Sequence, residues 1–135
     1  MTWVLFVCWH NAARSQMAEA FFEQLAGAEH AGASAGTHPA GGFHPFVVEA
    51  MREVGIDLRG KQPHALTPAL VSKADLVVRI LSPDPDDYWG VRMPSDPDDP
   101  TREEIARLRD EIRTRVTDLI ASFSPEGDLE SLRDP

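Results

Sequence analysis

Thr2-Trp3-Val4-Leu5-Phe6-Val7 leads into Cys8-Trp9-His10-Asn11-Ala12-Ala13-Arg14-Ser15, and the chain continues as Gln16-Met17-Ala18-Glu19-Ala20-Phe21-Phe22-Glu23-Gln24-Leu25. The first six residues are apolar, β-branched or aromatic, which predicts a short buried strand. From Arg14 to Leu25 the apolar groups Met17, Ala18, Phe21, Phe22 and Leu25 recur at helical spacing. A strand that turns through a short loop straight into a helix is the opening unit of an α/β protein with a parallel sheet. In such sheets ligands gather at the carboxyl ends of the strands, and Cys8 falls at that position.

The remainder of the chain keeps the alternation. The Gly- and Ala-rich stretch 27–36 predicts a second strand near 31–35, and 37–44, with Pro39, Gly41 and Gly42, reads as a loop. Pro45 opens a helix over 46–54 that Gly55 stops. A short helix is expected within 66–73, with Thr67 as N-cap and Pro68 as its first residue. Residues 74–80 have a nearly continuous apolar centre and predict a strand. Prolines and aspartates dominate 82–100, a long loop. Thr101 and Glu104 form a capping box ahead of a last helix whose apolar face is Ile105, Leu108, Ile112, Val116, Leu119 and Ile120. The expected organisation is one catalytic domain over 1–123 and a polar, fraying tail over 124–135, with no internal repeat.

Composition narrows the function classes. Hydrophobic residues make up 42% and charged residues 26% of 135, a globular balance. Lys and Arg number 13 against 22 Asp and Glu, a formal charge of −9, which disfavours nonspecific binding to nucleic acid or to an anionic membrane. Cys8 is the single cysteine, so neither an intrachain disulfide nor a cysteine-based zinc cluster can be built. The start lacks a basic region and no apolar run approaches the ~20 residues of a membrane span, so a cytoplasmic protein is expected.

The chemistry is concentrated in Cys8 to Ser15. A loop of five residues between a cysteine and an arginine can wrap a tetrahedral oxyanion with backbone N–H groups while the helix N-terminus adds positive potential. Arg14 can complete that cradle with a bidentate fork. The same field favours the Cys8 thiolate, the form that acts as a nucleophile, and Ser15 can donate a hydrogen bond to it. Asn11 suits a left-handed backbone position in so tight a loop. Taken singly, a cysteine after an apolar strand is a small buried hydrophobe, and an arginine and a serine are ordinary first-turn residues. Their fixed spacing at a strand-to-helix junction is what favours catalysis.

These residues resemble the low-molecular-weight protein tyrosine phosphatase superfamily, which shares the Cys-x5-Arg-Ser loop, and more closely its arsenate reductase branch. Arg14 to Ala20, Ser34-Ala35-Gly36-Thr37 through Pro39-Ala40, Val48 to Leu58, Lys61-Gln62-Pro63, Ala74 to Val78 and Arg109-Asp110-Glu111-Ile112 carry the resemblance, which covers roughly residues 3 to 120. It implies a three-layer α/β sandwich around a central parallel four-stranded sheet. It also implies an arsenate reductase, with a part in arsenic resistance, in which Trp9, His10, Asn11, Ala12, Ala13 and Arg14 hold arsenate or another tetrahedral oxyanion and Cys8 attacks it. An Asp-Pro acid before the last helix is implied too. Asp96-Pro97 and Asp99-Pro100 both qualify, and spacing to Arg109-Asp110-Glu111-Ile112 favours Asp96.

Departures from the branch shape the expected cofactor requirement. The branch often carries one or two further cysteines after the strand at 77–80, whereas Leu81 to Tyr88 holds none here. No tightly bound cofactor or metal is expected, and the second thiol must come from outside. That resembles single-cysteine reductases using a mycothiol- or bacillithiol-type thiol and a glutaredoxin-like partner. His10 stands where a family glycine is common and is expected to point away from the anion. Glu19 and Ser34 match positions that hold potassium in some members. His30, His38, His44 and His64 show no metal spacing and read as surface or loop residues. Trp9, Phe43, Tyr88 and Trp89 rim the pocket or simply pack.

Two other readings compete. A phosphomonoesterase acting through a phosphocysteine would share the first step, but Asp98 and Asp99 stand beside the acid in place of tyrosines and would repel an anionic phosphopeptide. An oxyanion sensor without turnover would not need a nucleophile.

Overall fold

The alternation of odd and even side chains in the first strand divides the molecule into layers. The computed structural model describes residues 2–80, Trp89, Val91, Met93, Pro94, Asp96 and 99–123. Strand β1 (Thr2–Cys8) lies in the centre of the sheet, with β2 (His30–Gly36) and β3 (Leu76–Arg79) parallel on either side. Register runs from Thr2 opposite His30 to Cys8 opposite Gly36, and from Val4 opposite Leu76 to Val7 opposite Arg79.

On one face Val4, Phe6 and Cys8 pack with Met17, Phe21 and Phe22 of α1 (Arg14–Leu25), Val47 and Met51 of α2 (Pro45–Arg52), and Ile105, Leu108, Ile112 and Val116 of α4 (Arg102–Ala121). On the other face Leu5, Val7 and Ala35 meet Leu66, Leu70 and Val77, which brings α3 (Pro68–Lys73) over the sheet. Both faces of β1 are thereby covered, as a parallel sheet requires. Each fully buried side chain such as Phe21 or Ile112 contributes roughly 1.5–3 kcal/mol.

Local signals explain the boundaries. His44 caps α2 by accepting from Phe46 N at 3.0 Å, with Pro45 at the first helical position. That helix ends at Arg52, two residues short of expectation, and Gly55 follows in the left-handed region at φ 84°. Thr67 caps α3, and the Thr101–Glu104 capping box opens α4.

One expectation is corrected. The described residues form three strands, not the four implied by the resemblance. Beyond β2 the next segment contributes a single parallel bridge, Gly36 to Ala65. Pro63 lacks an N–H to extend a ladder there, and Pro68 begins a helix. Residues 81–88 and the tail from 124 lie outside the described residues, and within the long loop 82–100 only Trp89, Val91, Met93, Pro94, Asp96, Asp99 and Pro100 are described.

Candidate active site

The loop from Cys8 to Arg14 joins β1 to α1 at the carboxyl end of the sheet. Its outer rim continues the strand pairing after the strands have ended. Thr37 N donates to Cys8 O at 3.1 Å, His38 N to Trp9 O at 2.7 Å, and Ala40 N to His10 O at 3.0 Å. A trans peptide carries its N–H opposite its carbonyl, so the N–H groups of Trp9, His10 and Asn11 are turned away from the 37–40 segment. The loop is an N–H-lined concavity for this reason. Asn11 takes the left-handed conformation expected of it, at φ 52°. Ala13 supplies no side-chain cap to α1 and the first turn carries no acidic residue, which leaves the helix terminus to an incoming anion.

At the floor of this loop Cys8 is 3% exposed, and its Sγ lies 2.9 Å from Ser15 Oγ. Asn11 Nδ2 donates to the same Ser15 Oγ at 2.7 Å. The oxygen of the Asn11 carboxamide accepts from His64 N at 2.7 Å and from Gln16 Nε2 at 3.0 Å. A hydroxyl that already accepts from Asn11 has one hydrogen left, and the sulfur is where it points.

Arg14 is 5% exposed, lines the cleft, and its Nη1 donates to Val91 O at 2.9 Å. The guanidinium is thereby turned inward, and Arg14 and Cys8 line the same cleft. The cleft above them is about 760 Å³ and is lined by Trp9, His10, Ala12, Phe43, His44, Val47, Met93, Pro100 and Ile105 as well as the loop. Trp9 is 48% exposed and stacks on His38 with ring centroids 5.3 Å apart. Trp89 instead packs in the core against Phe6, and Tyr88 lies outside the described residues. Asp96 and Asp99 are both exposed, and Asp99 N donates to Asp96 O at 3.1 Å. Met93 and Pro100 on either side of them reach the cleft, whereas neither aspartate is part of its lining.

Other expected residues fall as follows. His10 Nδ1 bonds His38 O at 2.8 Å, which ties the loop to the neighbouring segment. His44 is the α2 cap, and His64 acts through its backbone. His30 corrects the surface-or-loop expectation: it starts β2, half-buried, where Thr2 N donates to its ring at 3.2 Å. Ser34 Oγ donates to Glu19 Oε1 at 2.6 Å, and Lys61 Nζ lies 3.6 Å from Glu19 Oε2. Burial pushes the Glu19 carboxyl above its ordinary value despite the Ser34 hydrogen bond and the Lys61 charge. Among the described residues no group of three or more His, Cys, Asp or Glu is placed to hold a metal ion. No described helix is long and apolar enough to cross a membrane.

Sequence reasoning passed over two supporting residues. Gly36 lies directly beneath the loop, where an added Cβ would sit 2.7 Å from Trp9 O and 2.9 Å from Asn11 N. A glycine ending a strand opposite Cys8 is the signal that could have marked it. Gln16, buried in the first turn of α1, carried no signal beyond its polarity on an inward face.

A buried sulfur and a buried guanidinium line one cleft beside an N–H-lined loop, an arrangement able to receive an oxyanion. The chain belongs to the family of low molecular weight phosphotyrosine protein phosphatases, which residues 3–87 match. It is 34% identical over 125 residues to arsenate reductase 2 of Staphylococcus haemolyticus, spanning 84% of this chain and 92% of that protein. Among solved structures it is similar to an arsenate reductase in the phosphate-binding state, with 30% identity, a TM-score of 0.75 and coverage of 90% of this chain and 98% of that one. A thioredoxin-dependent arsenate reductase of Corynebacterium glutamicum gives 29% identity and a TM-score of 0.72, covering 90% of this chain and 61% of that one.

Proposed function

We propose that this protein is an arsenate reductase that works with one cysteine of its own. The observation that carries the reading is the Cys8–Ser15 contact of 2.9 Å beside an inward-facing Arg14, in a chain with 34% identity to an arsenate reductase. Arsenate seats in the loop 9–14 against the backbone N–H groups and the Arg14 guanidinium. The Cys8 thiolate attacks arsenic, and a hydroxyl oxygen of arsenate leaves as water with a proton from Asp96, giving a thiolate–arsenic(V) adduct. Met93 and Pro100, on either side of Asp96, line the cleft, which supports Asp96 as the acid.

A second sulfur must then supply two electrons, and Cys8 is the single cysteine of the chain. An external low-molecular-weight thiolate attacks Cys8 Sγ. The electron pair of the S–As bond passes to arsenic, arsenite leaves, and Cys8 remains as a mixed disulfide. A redoxin dithiol exchanges with that disulfide and returns the Cys8 thiolate. A mycothiol- or bacillithiol-type thiol with a glutaredoxin-like protein fits this requirement. The thioredoxin dependence of the Corynebacterium relative supports an external redoxin of some kind.

One observation favours a second reading as a phosphomonoesterase. The cleft wall of Trp9, Phe43, Val47, Met93 and Ile105 would suit an aryl leaving group better than a bare oxyanion. Purified protein assayed with arsenate, several small thiols and matching redoxins, and separately with an aryl phosphate, separates the two. Thiol-dependent arsenite release with negligible phosphate release is the expected result, lost in Cys8→Ser. Asp96→Asn is expected to slow turnover about 100-fold, within the range for a general acid, and Asp99→Asn to leave it within about twofold. Phosphate release alone supports the esterase, and full activity in Cys8→Ser rejects both.

A further inference from the structure

We propose that Gln16 is a positioning residue for the nucleophile: its carboxamide clamps Asn11 to the 62–64 segment and so keeps the hydroxyl proton of Ser15 aimed at Cys8. The inference rests on reading Cys8 as the nucleophile and gives a role to a side chain that does not touch substrate. The direction of every bond in the network follows from donor chemistry. The backbone N–H of His64 can only donate, so the Asn11 atom it meets at 2.7 Å is the carbonyl oxygen. That sets Asn11 Nδ2 against Ser15 Oγ at 2.7 Å, and the Ser15 hydrogen against Cys8 Sγ at 2.9 Å.

Gln16 Nε2 in turn faces two oxygens, Asn11 Oδ1 and Gln62 O, each at 3.0 Å. One buried amide thus holds both Asn11 and the segment that delivers the His64 donor. Gln16 is 2% exposed, and Asn11 and Ser15 are fully buried, so water does not stand in for a lost partner. Without the clamp Asn11 can rotate. A flipped carboxamide presents its oxygen to Ser15, which then gives its proton to Asn11 and leaves the sulfur without a donor.

The test is Gln16→Met, which keeps volume and removes both donors. The rate of Cys8 alkylation by iodoacetamide against pH should show its midpoint raised by about 0.5–1 pH unit, a three- to tenfold slower reaction below the midpoint. The kcat for arsenate should fall with it while KM changes less. In an Asn11→Ala background Gln16→Met should add no further rise, because the network is already broken. Met17→Ala, a core truncation one residue away, should lower Tm without moving the midpoint, which separates positioning from stability. Should Gln16→Met fail to fold, side-chain amide exchange in the wild-type protein decides. The Gln16 and Asn11 carboxamide protons are expected to exchange slowly, and exchange at the rate of exposed amides overturns the proposal. A folded Gln16→Met with a wild-type alkylation profile overturns it equally. Turnover retained in Cys8→Ser would instead remove the functional reading and leave the clamp standing.

Discussion

Replacing Gly36 with alanine tests how tightly the loop is seated on the sheet. Gly36 stands opposite Cys8 at the end of β2, donates to His64 O at 2.8 Å and accepts from Leu66 N at 2.9 Å, so it cannot slide aside without breaking both bonds. An alanine Cβ would come 2.7 Å from Trp9 O, 2.9 Å from Asn11 N and 2.9 Å from His10 C, closer than real Cβ atoms approach such neighbours. All three are backbone atoms of the anion loop. Relief to ordinary contact near 3.4 Å therefore moves that backbone by about 0.5–0.7 Å. A displacement of about 1 Å in a positioned group can cost about 100-fold in rate, so Gly36→Ala should lower kcat/KM for arsenate by about ten- to 100-fold. It should also raise, by a similar factor, the phosphate concentration needed to protect Cys8 from alkylation. Gly41→Ala is the matched control, since nothing lies within 4 Å of its Cβ, and should stay within about twofold. If Gly36→Ala folds and keeps wild-type protection and turnover, the claim that this glycine shapes the cradle is wrong.

Other consequences are open to direct measurement. Ser15→Ala removes the donor to Cys8 and strands Asn11 Nδ2, so Cys8 alkylation at pH 6 should slow about tenfold and urea stability should fall by about 1–2 kcal/mol; an unchanged rate would deny Ser15 its role. Glu19 titrates above its ordinary value because it is buried, so the native state binds its proton more tightly than the unfolded chain. The stability this contributes is present below about pH 4.5 and is lost as pH rises through the native value. The Tm of Glu19→Gln minus that of wild type should therefore increase from pH 4 to 7, and a flat or falling difference would contradict the burial. Thr101→Ala removes the Oγ1 that accepts from Glu104 N at 3.0 Å while leaving the backbone arm of the capping box in place, and should cost about 1 kcal/mol in denaturant unfolding with arsenate turnover unchanged.

Residues near one another in sequence largely announced their structure. The limits of α1, the Pro45, Pro68 and Thr101 helix starts and the left-handed Asn11 all follow from periodicity, capping and turn chemistry, which act over a few residues. Cys8, Arg14 and Ser15 were legible for the same reason, because they share one short loop and the first turn of one helix. Asp96 marks the limit of that reading: the family resemblance implied an Asp-Pro acid and spacing favoured Asp96 over Asp99, yet its exposed place lies in a long proline-rich stretch of sequence with no periodic signal.

What the sequence by itself determined is the alternation of strand and helix, the both-faces burial of β1 and the gathering of Cys8, Arg14 and Ser15 at one strand-to-helix junction, since local sterics and hydrophobic period encode them. Only the tertiary structure decided what holds that loop in place. Gly36 and the backbone of His64 reach Asn11 from 25 and 53 positions away, and Gln16, a near neighbour in sequence, is held by Gln62 from 46 positions away. Contacts of that kind depend on how β2 and the 62–64 segment lie against β1, a register that the packing of both sheet faces sets and that no local pattern spells out.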